Sequence, residues 1–130
     1  MSDLTTDPPA QPDHWSQSLG IRPVGDSDPP TLEMELTGDL LNFLEGAHGG
    51  AIFTLAETAA RTAASAAAGE TRPVLVDAHL VLTSGGSAGD VLTARVQPTS
   101  VGRTLGVYRV EVTRGDGRLV GEMTTTWRFR

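Results

Sequence analysis

Hydrophobic and polar residues alternate strictly from Thr31 to Thr37, with Leu32, Met34 and Leu36 set against Glu33 and Glu35. That period of two predicts a half-buried strand. The pattern then changes. From Ala51 to Ala68 there is no Pro or Gly, and Ala, Leu and Glu dominate, which predicts about five turns of helix. Gly46, Gly49 and Gly50 flank its start, and Gly69 is the expected stop. Beyond Arg72-Pro73 come β-rich runs at Val74–Thr83, Val91–Thr99 (interrupted by Pro98), Leu105–Thr113 and Leu119–Phe129. A Gly-rich turn at 84–90, a bulge or turn at 100–103 and the Asp116-Gly117 hairpin signal separate them. One strand, one long helix and four further antiparallel strands predict an α+β domain of five or six strands, its sheet curled around the helix.

Other segments are less regular. Residues 1–13 hold Pro8, Pro9 and Pro12 with little hydrophobicity, and are expected to be a disordered tail ahead of one domain over 14–130. His14–Gly20 predicts a short helix with Trp15 and Leu19 packing inward. Arg22–Pro30 reads as a polar loop. The connection from Gly38 to Gly46 carries Leu40, Leu41, Phe43 and Leu44, apolar enough that it is expected to pack against something.

On a helical wheel Ile52, Ala56, Ala59, Ala60 and Ala63 share one face, with Phe53 and Leu55 at its shoulders and Thr54, Thr58, Thr62 and Ser65 opposite. So many small residues predict a helix that other backbone approaches closely. Its only charges are Glu57 and Arg61. Glu57 falls beside Phe53 at the margin of the apolar face, where lost water would raise its proton affinity and make it a usable base. The competing reading is a surface i,i+4 pair worth a few tenths of a kcal/mol.

Charge and composition narrow the function. The formal net charge is −6, and all ten basic residues are Arg, so no basic field draws in nucleic acid. The absence of Cys excludes disulfides, thiolate metal sites and Cys nucleophiles, and His14, His48 and His79 are scattered without metal-ligand spacing. No signal-peptide pattern opens the chain, and Glu57 and Arg61 make the long helix a poor membrane span, so a cytoplasmic protein is expected.

Asn42, Gly46, His48-Gly49-Gly50 and Leu55-Ala56-Glu57, in this strand order, resemble the hotdog-fold acyl-CoA thioesterases, in the branch that includes phenylacetyl-CoA and hydroxybenzoyl-CoA thioesterases. The similarity runs from about Trp15 to the C-terminus and takes in Gly89–Ala94, Gly102-Arg103 and Asp116–Val120. It implies that the Gly49 N–H is the oxyanion donor, that Glu57 is general base or nucleophile, and that Asn42 positions water or the carbonyl. His48, Gly50, Phe53 and Thr58 become candidate substrate-binding residues, His48 chiefly by fixing the turn ahead of the helix. Arg103 is the first candidate for the CoA phosphates. The resemblance further implies no metal or cofactor beyond the CoA of the substrate, no membrane partner, and a homodimer at least, in this family often a homotetramer, with sites between subunits. The family's Ser or Thr near the acid is missing, since Arg61 and Leu75 occupy those positions; Thr58 or Thr54 is the available substitute. A non-catalytic acyl-CoA-binding domain and, less well supported, an enoyl-CoA hydratase are the alternative readings. The apolar loop and Phe53 suggest a medium-chain or aryl acyl group.

Overall fold

The computed structural model describes residues 13–129. Six antiparallel strands form one sheet: β1 (Arg22–Pro23), β2 (Thr31–Glu35), β3 (Val74–Leu82), β4 (Val91–Val101), β5 (Leu105–Thr113) and β6 (Leu119–Arg128), in the order β1-β2-β4-β5-β6-β3. Among the described residues two α-helices accompany it, α1 (His14–Ser18) and α2 (Gly49–Ala68), with a 3-10 turn at Gly38–Leu40.

The sheet curls around α2, and four of its strands, β2, β4, β5 and β6, alternate buried with more exposed positions. Leu32 and Met34, Leu92, Ala94 and Val96, Tyr108, Val110 and Val112, and Met123 and Trp127 are buried on the concave side. They meet Ile52, Leu55, Ala56, Ala59, Ala60 and Ala63, all buried, so the predicted apolar helix face is the core face. The small side chains let strands come near. At Gly121 an added Cβ would lie 3.2 Å from the Val81 carbonyl oxygen and 3.5 Å from Ile52 Cγ2.

The predicted elements stand with local changes. The helix begins two residues earlier than its glycine-free run, because His48 caps it. Pro98 does not end β4; a bulge between Pro98 and Ser100 absorbs it and the strand runs on to Val101. The expected loop after Arg22 contains β1, paired with Glu33 and Leu32.

Two expectations are corrected. Trp15 is not packed inward but is 62% exposed, since the single turn of α1 places Ser16 and Leu19 against the core instead. The Gly38–Gly46 connection buries Leu40, yet Phe43 is 92% and Leu44 74% exposed. A tight turn closed by the Leu41–Ala47 bridge and by Asn42 N–H on the Gly46 carbonyl lifts both to its tip. The expected tail lies outside the described residues apart from Asp13, which N-caps α1. No described helix is long and apolar enough to cross a membrane.

Candidate functional site

The start of α2 is shaped by what precedes it. His48 has extended backbone (φ −69°, ψ 129°), and its Nδ1 accepts a hydrogen bond from the Gly50 N–H at 2.9 Å. This is an imidazole N-cap, the ring taking the place a Ser, Thr, Asp or Asn side chain commonly fills. The N–H groups of Ala51 and Ile52 both reach the His48 carbonyl. Gly50 is therefore satisfied, whereas the N–H of Gly49, the first residue of the helix, has no acceptor among the described residues. An orphan N–H at the positive end of a 20-residue helix suits developing negative charge. The end of β3 lies against it, for a Cβ on Gly49 would stand 3.3 Å from Leu82 Cδ1.

Asn42 sits ahead of this start, on the hairpin-like turn. Its Oδ1 accepts from the N–H groups of Leu44 (2.9 Å) and Gly46 (3.1 Å). Those two donors fix the amide orientation and leave the Nδ2 hydrogens without an acceptor among the described residues. Glu45 adopts φ 63°, the left-handed conformation that closes the turn. One side chain thus builds the loop with its oxygen and offers donors with its nitrogen.

Glu57 lies two turns along α2 from Gly49, on a stripe Gly49–Phe53–Glu57, about 12 Å of axial rise away. Its side chain is 20% exposed. Burial raises its proton affinity above that of an ordinary glutamate; the charge of Arg61 opposes this, and Asp13 adds to it. Arg61 Nε stands 3.5 Å from Glu57 Oε2, so the predicted i,i+4 pair is present, but in a half-buried setting. The acid therefore has both characters the sequence offered, a desolvated carboxylate and an ion-pair partner.

The remaining candidates divide. Phe53 packs at the edge of the core on the same stripe. Thr58 does not join it: the residue is 2% exposed, and its hydroxyl shares a hydrogen bond with Ser16 Oγ at 3.0 Å on a flank of α2 about 100° round from Glu57. Thr54 is equally committed, donating to the Gly50 carbonyl and accepting from Trp15 Nε1. The hydroxyls of Thr54, Thr58 and Thr62, the first two of them the available substitutes for the Ser or Thr that the sequence lacks at 61 and 75, are each engaged in a hydrogen bond. A cavity of about 550 Å³ bounded by Ile21, Arg22, Leu32, Thr58 and Thr62 lies on that flank, not on the Gly49–Glu57 stripe. Arg103 is exposed in the β4–β5 turn, without a side-chain partner among the described residues. The register places that turn beside Arg128 and so at the Val74 end of the sheet, while Gly49 lies at the Leu82 end. Within one chain the two are far apart. Among the described residues no His, Asp and Glu gather in a group able to hold a metal ion.

Sequence reasoning missed the role of α1. Asp13 and Ser16 reach Arg61, and Ser16 is almost fully buried. The available signal was Asp13 three residues before Ser16, an N-cap pattern, facing a helix with hydroxyls at every turn.

Comparison with known proteins matches this architecture. Residues 46–121 match the profile of the Thioesterase superfamily. A "Putative esterase" of Deinococcus radiodurans is 33% identical over 104 residues, 78% of this chain and 68% of that protein. The acyl-coenzyme A thioesterase PaaI of Escherichia coli K12 is 32% identical over 101 residues, covering 77% of this chain and 71% of its own. The solved structure of E. coli PaaI, described as from the phenylacetic acid degradation operon, superposes with a TM-score of 0.83 at 27% identity, over 91% of this chain and 85% of that one. A hypothetical thioesterase of Streptococcus pneumoniae TIGR4, solved with coenzyme A, superposes with a TM-score of 0.75 at 25% identity over 85% of each chain. With the long helix, the curled six-stranded sheet and more than half of its length matched, this chain is a hotdog-fold member of the thioesterase superfamily, on its PaaI-like branch.

Proposed function

We propose that the chain is an acyl-CoA thioesterase that hydrolyses an apolar, medium-chain or aryl, acyl-CoA to the free acid and CoA at sites shared by two subunits. The observation that carries this reading is that α2 offers both an orphan N–H, at Gly49, and a desolvated carboxylate, at Glu57. The relative named an acyl-coenzyme A thioesterase and the coenzyme A-bound neighbour support the substrate class.

In this reading the thioester oxygen lies at the Gly49 N–H, assisted by the Asn42 Nδ2 amide, and both donors strengthen as the oxygen becomes anionic. Water attacks the carbonyl carbon while Glu57 takes its proton, or Glu57 attacks directly and water then cleaves the acyl-enzyme. Collapse of the tetrahedral intermediate breaks the C–S bond, and CoA leaves as the thiolate and takes up a proton. No metal or further cofactor has a step in this scheme.

The helix itself argues for two chains. A reacting carbon must lie about 3 Å from its nucleophile while its oxygen lies about 3 Å from the donor. Gly49 and Glu57 of one helix are about 12 Å apart along the axis, Phe53 stands between them, and Arg61 ties the carboxylate away from the helix start. A second chain paired antiparallel along β3 resolves this. Its Val74 end would meet this chain's Leu82 end, bringing the partner subunit's Glu57 toward Gly49. The partner subunit's Arg103 would then sit about three strand spacings away, some 14 Å, within reach of CoA phosphates. Phe43 and Leu44, exposed in the single chain, would contact the acyl group or the partner. A dimer of dimers and a cytoplasmic location complete the reading from the family resemblance.

A second reading keeps acyl-CoA binding without turnover. Its supporting observation is that Arg61 neutralises Glu57 while the Thr54 and Thr58 hydroxyls are bonded to α1. Release of free CoA across short, medium, long and aryl acyl-CoAs, run beside Glu57→Ala, decides between them. Turnover that falls by about a thousandfold in the variant supports the thioesterase. Binding without hydrolysis supports the second reading, and turnover that survives Glu57→Ala removes Glu57 from the mechanism.

A further inference from the structure

Helix α1 is only five residues long, yet it is bonded to three successive turns of α2. Trp15 Nε1 donates to Thr54 Oγ1 at 2.9 Å, and Ser16 Oγ shares a hydrogen bond with Thr58 Oγ1 at 3.0 Å. At the third turn an Arg61 terminal nitrogen reaches Asp13 Oδ2 at 3.4 Å and Ser16 Oγ at 3.5 Å. Positions 54, 58 and 61 follow the i, i+4, i+7 spacing of one helix face, so the ladder is written in the sequence of α2. Asp13 is held in turn: its Oδ1 accepts from the Ser16 N–H at 2.8 Å and from the Ser16 hydroxyl at 2.7 Å.

The third rung ends on the candidate catalytic acid. The guanidinium of Arg61 is shared between two carboxylates, Glu57 on its own helix at 3.5 Å and Asp13 of the α1 segment at 3.4 Å. An arginine in an ordinary surface pair swings freely in water, and the pair is worth little. Here Arg61 is 22% exposed and anchored at its far side by α1, which restricts where Glu57 can point.

We propose that Arg61 is a positioning residue that holds the Glu57 carboxylate ionised and oriented, and that α1, through Asp13 and Ser16, sets how much of the guanidinium Glu57 receives. This rests on the thioesterase reading and assigns a role to the arginine that replaces a hydroxyl one turn beyond the acid. The charges facing Glu57 among the described residues are Arg61 from α2 and Asp13 from α1, with His14 beside Asp13. Their effects on Glu57 have opposite signs: Arg61 favours the carboxylate and Asp13 favours the protonated acid, while burial favours the protonated acid throughout.

The test uses three variants of the full chain, Arg61→Gln, Arg61→Lys and Asp13→Asn. Asn caps a helix start as well as Asp does, so the last removes a charge while sparing α1. Two quantities are read: the pH profile of CoA release, and the titration of the Glu57 side-chain carboxyl carbon by NMR, its resonance identified with Glu57→Gln. In Arg61→Gln the titration and the acid limb of kcat both move to higher pH, and the alkaline plateau falls a few-fold with KM unchanged. In Asp13→Asn both move to lower pH, and Arg61→Lys restores the wild-type limb. A merely structural role would shift both variants in one direction or in neither, or would lose activity in step with melting temperature at every pH; any of these overturns the proposal. If no acyl-CoA is hydrolysed, the thioesterase reading fails, and the NMR titration still decides what Arg61 does. If the enzyme turns over but the Glu57 resonance ignores both charge changes, the Arg61 role alone is lost.

Discussion

The two edges of the sheet are built on opposite principles. At one edge β1 is two residues long, includes Pro23, and is pinned by Arg22, whose terminal nitrogen and Nε both lie 2.8 Å from Glu33 Oε1. A short strand with a charge and a proline discourages further pairing. At the other edge β3 runs nine residues, bonded on one side to β6 and on the other to nothing among the described residues. Val74, Leu75, Val76, Val81 and Leu82 are exposed along it, on both faces. Strands apolar on both faces belong in the interior of a sheet. The first edge is finished within the chain, and the second has the composition of a strand that a partner covers. The unfinished edge is also the one that borders Gly49. The difference therefore links assembly to chemistry: on the proposed reading, whatever opens that edge also dismantles the site.

The largest effect should follow from charging the open edge. Leu75→Lys with Val76→Lys puts two ammonium groups where a partner strand would lie, and should give single-chain mass by light scattering. CoA release should fall by about a hundredfold or more, because donor and acid no longer meet. A single-chain species that keeps full activity would sink the shared-site reading.

A sharper break uses two inactive variants. Gly49→Pro removes the N–H while suiting the backbone: proline is tolerated at the first helical position, and His48 already has the extended ψ that a following proline requires. The ring must also displace Leu82 Cδ1 by a few tenths of an ångström. The variant should lose about 10²–10³ in kcat with little change in melting temperature. If donor and acid come from different chains, dissociating and re-pairing Gly49→Pro with Glu57→Gln makes half of the dimers mixed, each with one intact site. About one quarter of wild-type activity should return. No recovery on demonstrated subunit exchange would place both groups on the same chain.

How much of this was legible beforehand follows from range. The alternation of β2 and the glycine-free run of α2 are local signals, and both elements formed where period and propensity placed them. The wheel also found the core face of α2, but the Thr and Ser set opposite it are covered as well, Thr54, Thr58 and Ser65 being buried. Trp15, Phe43 and Leu44 show that an apolar residue need not be a buried one: the single turn of α1 gives Ser16 and Leu19 to the core, and the turn closed by the Leu41–Ala47 bridge carries Phe43 and Leu44 at its tip. At the site, Glu57 and Arg61 stood out as the only charges on α2, and their pairing followed from spacing. The attachment of Arg61 to Asp13, 48 residues away, depends on where α1 docks, which no local pattern encodes.

A smaller effect separates the buried acid from ordinary surface carboxylates. Burial raises Glu57's proton affinity in the folded chain above its unfolded value. The folded state thus holds the proton to higher pH, and the associated stability is present at low pH and lost as pH rises through the folded pKa. Glu57→Gln removes a charge that burial opposes. It should melt above wild type at pH 8 by no more than a few degrees, with the gap closing toward pH 4, while activity is lost. A variant less stable than wild type at pH 8 would mean that Arg61 outweighs burial at this carboxylate.

The smallest effect belongs to the closed edge. Arg22 and Glu33 are joined at 2.8 Å, but their side chains are 49% and 27% exposed, so water competes for both. Pairs of this kind contribute about 0.2–1 kcal/mol. Arg22→Ala should cost no more than that in denaturant unfolding, and a double-mutant cycle with Glu33→Ala should recover a coupling of the same size. Subunit mass and CoA release should not change, because β1 would still be a two-residue strand ending in a proline that cannot donate to a new neighbour. If Arg22→Ala instead produced larger assemblies, the ion pair and not the brevity of β1 would be what closes this edge. The contrast with β3 would then rest on one arginine.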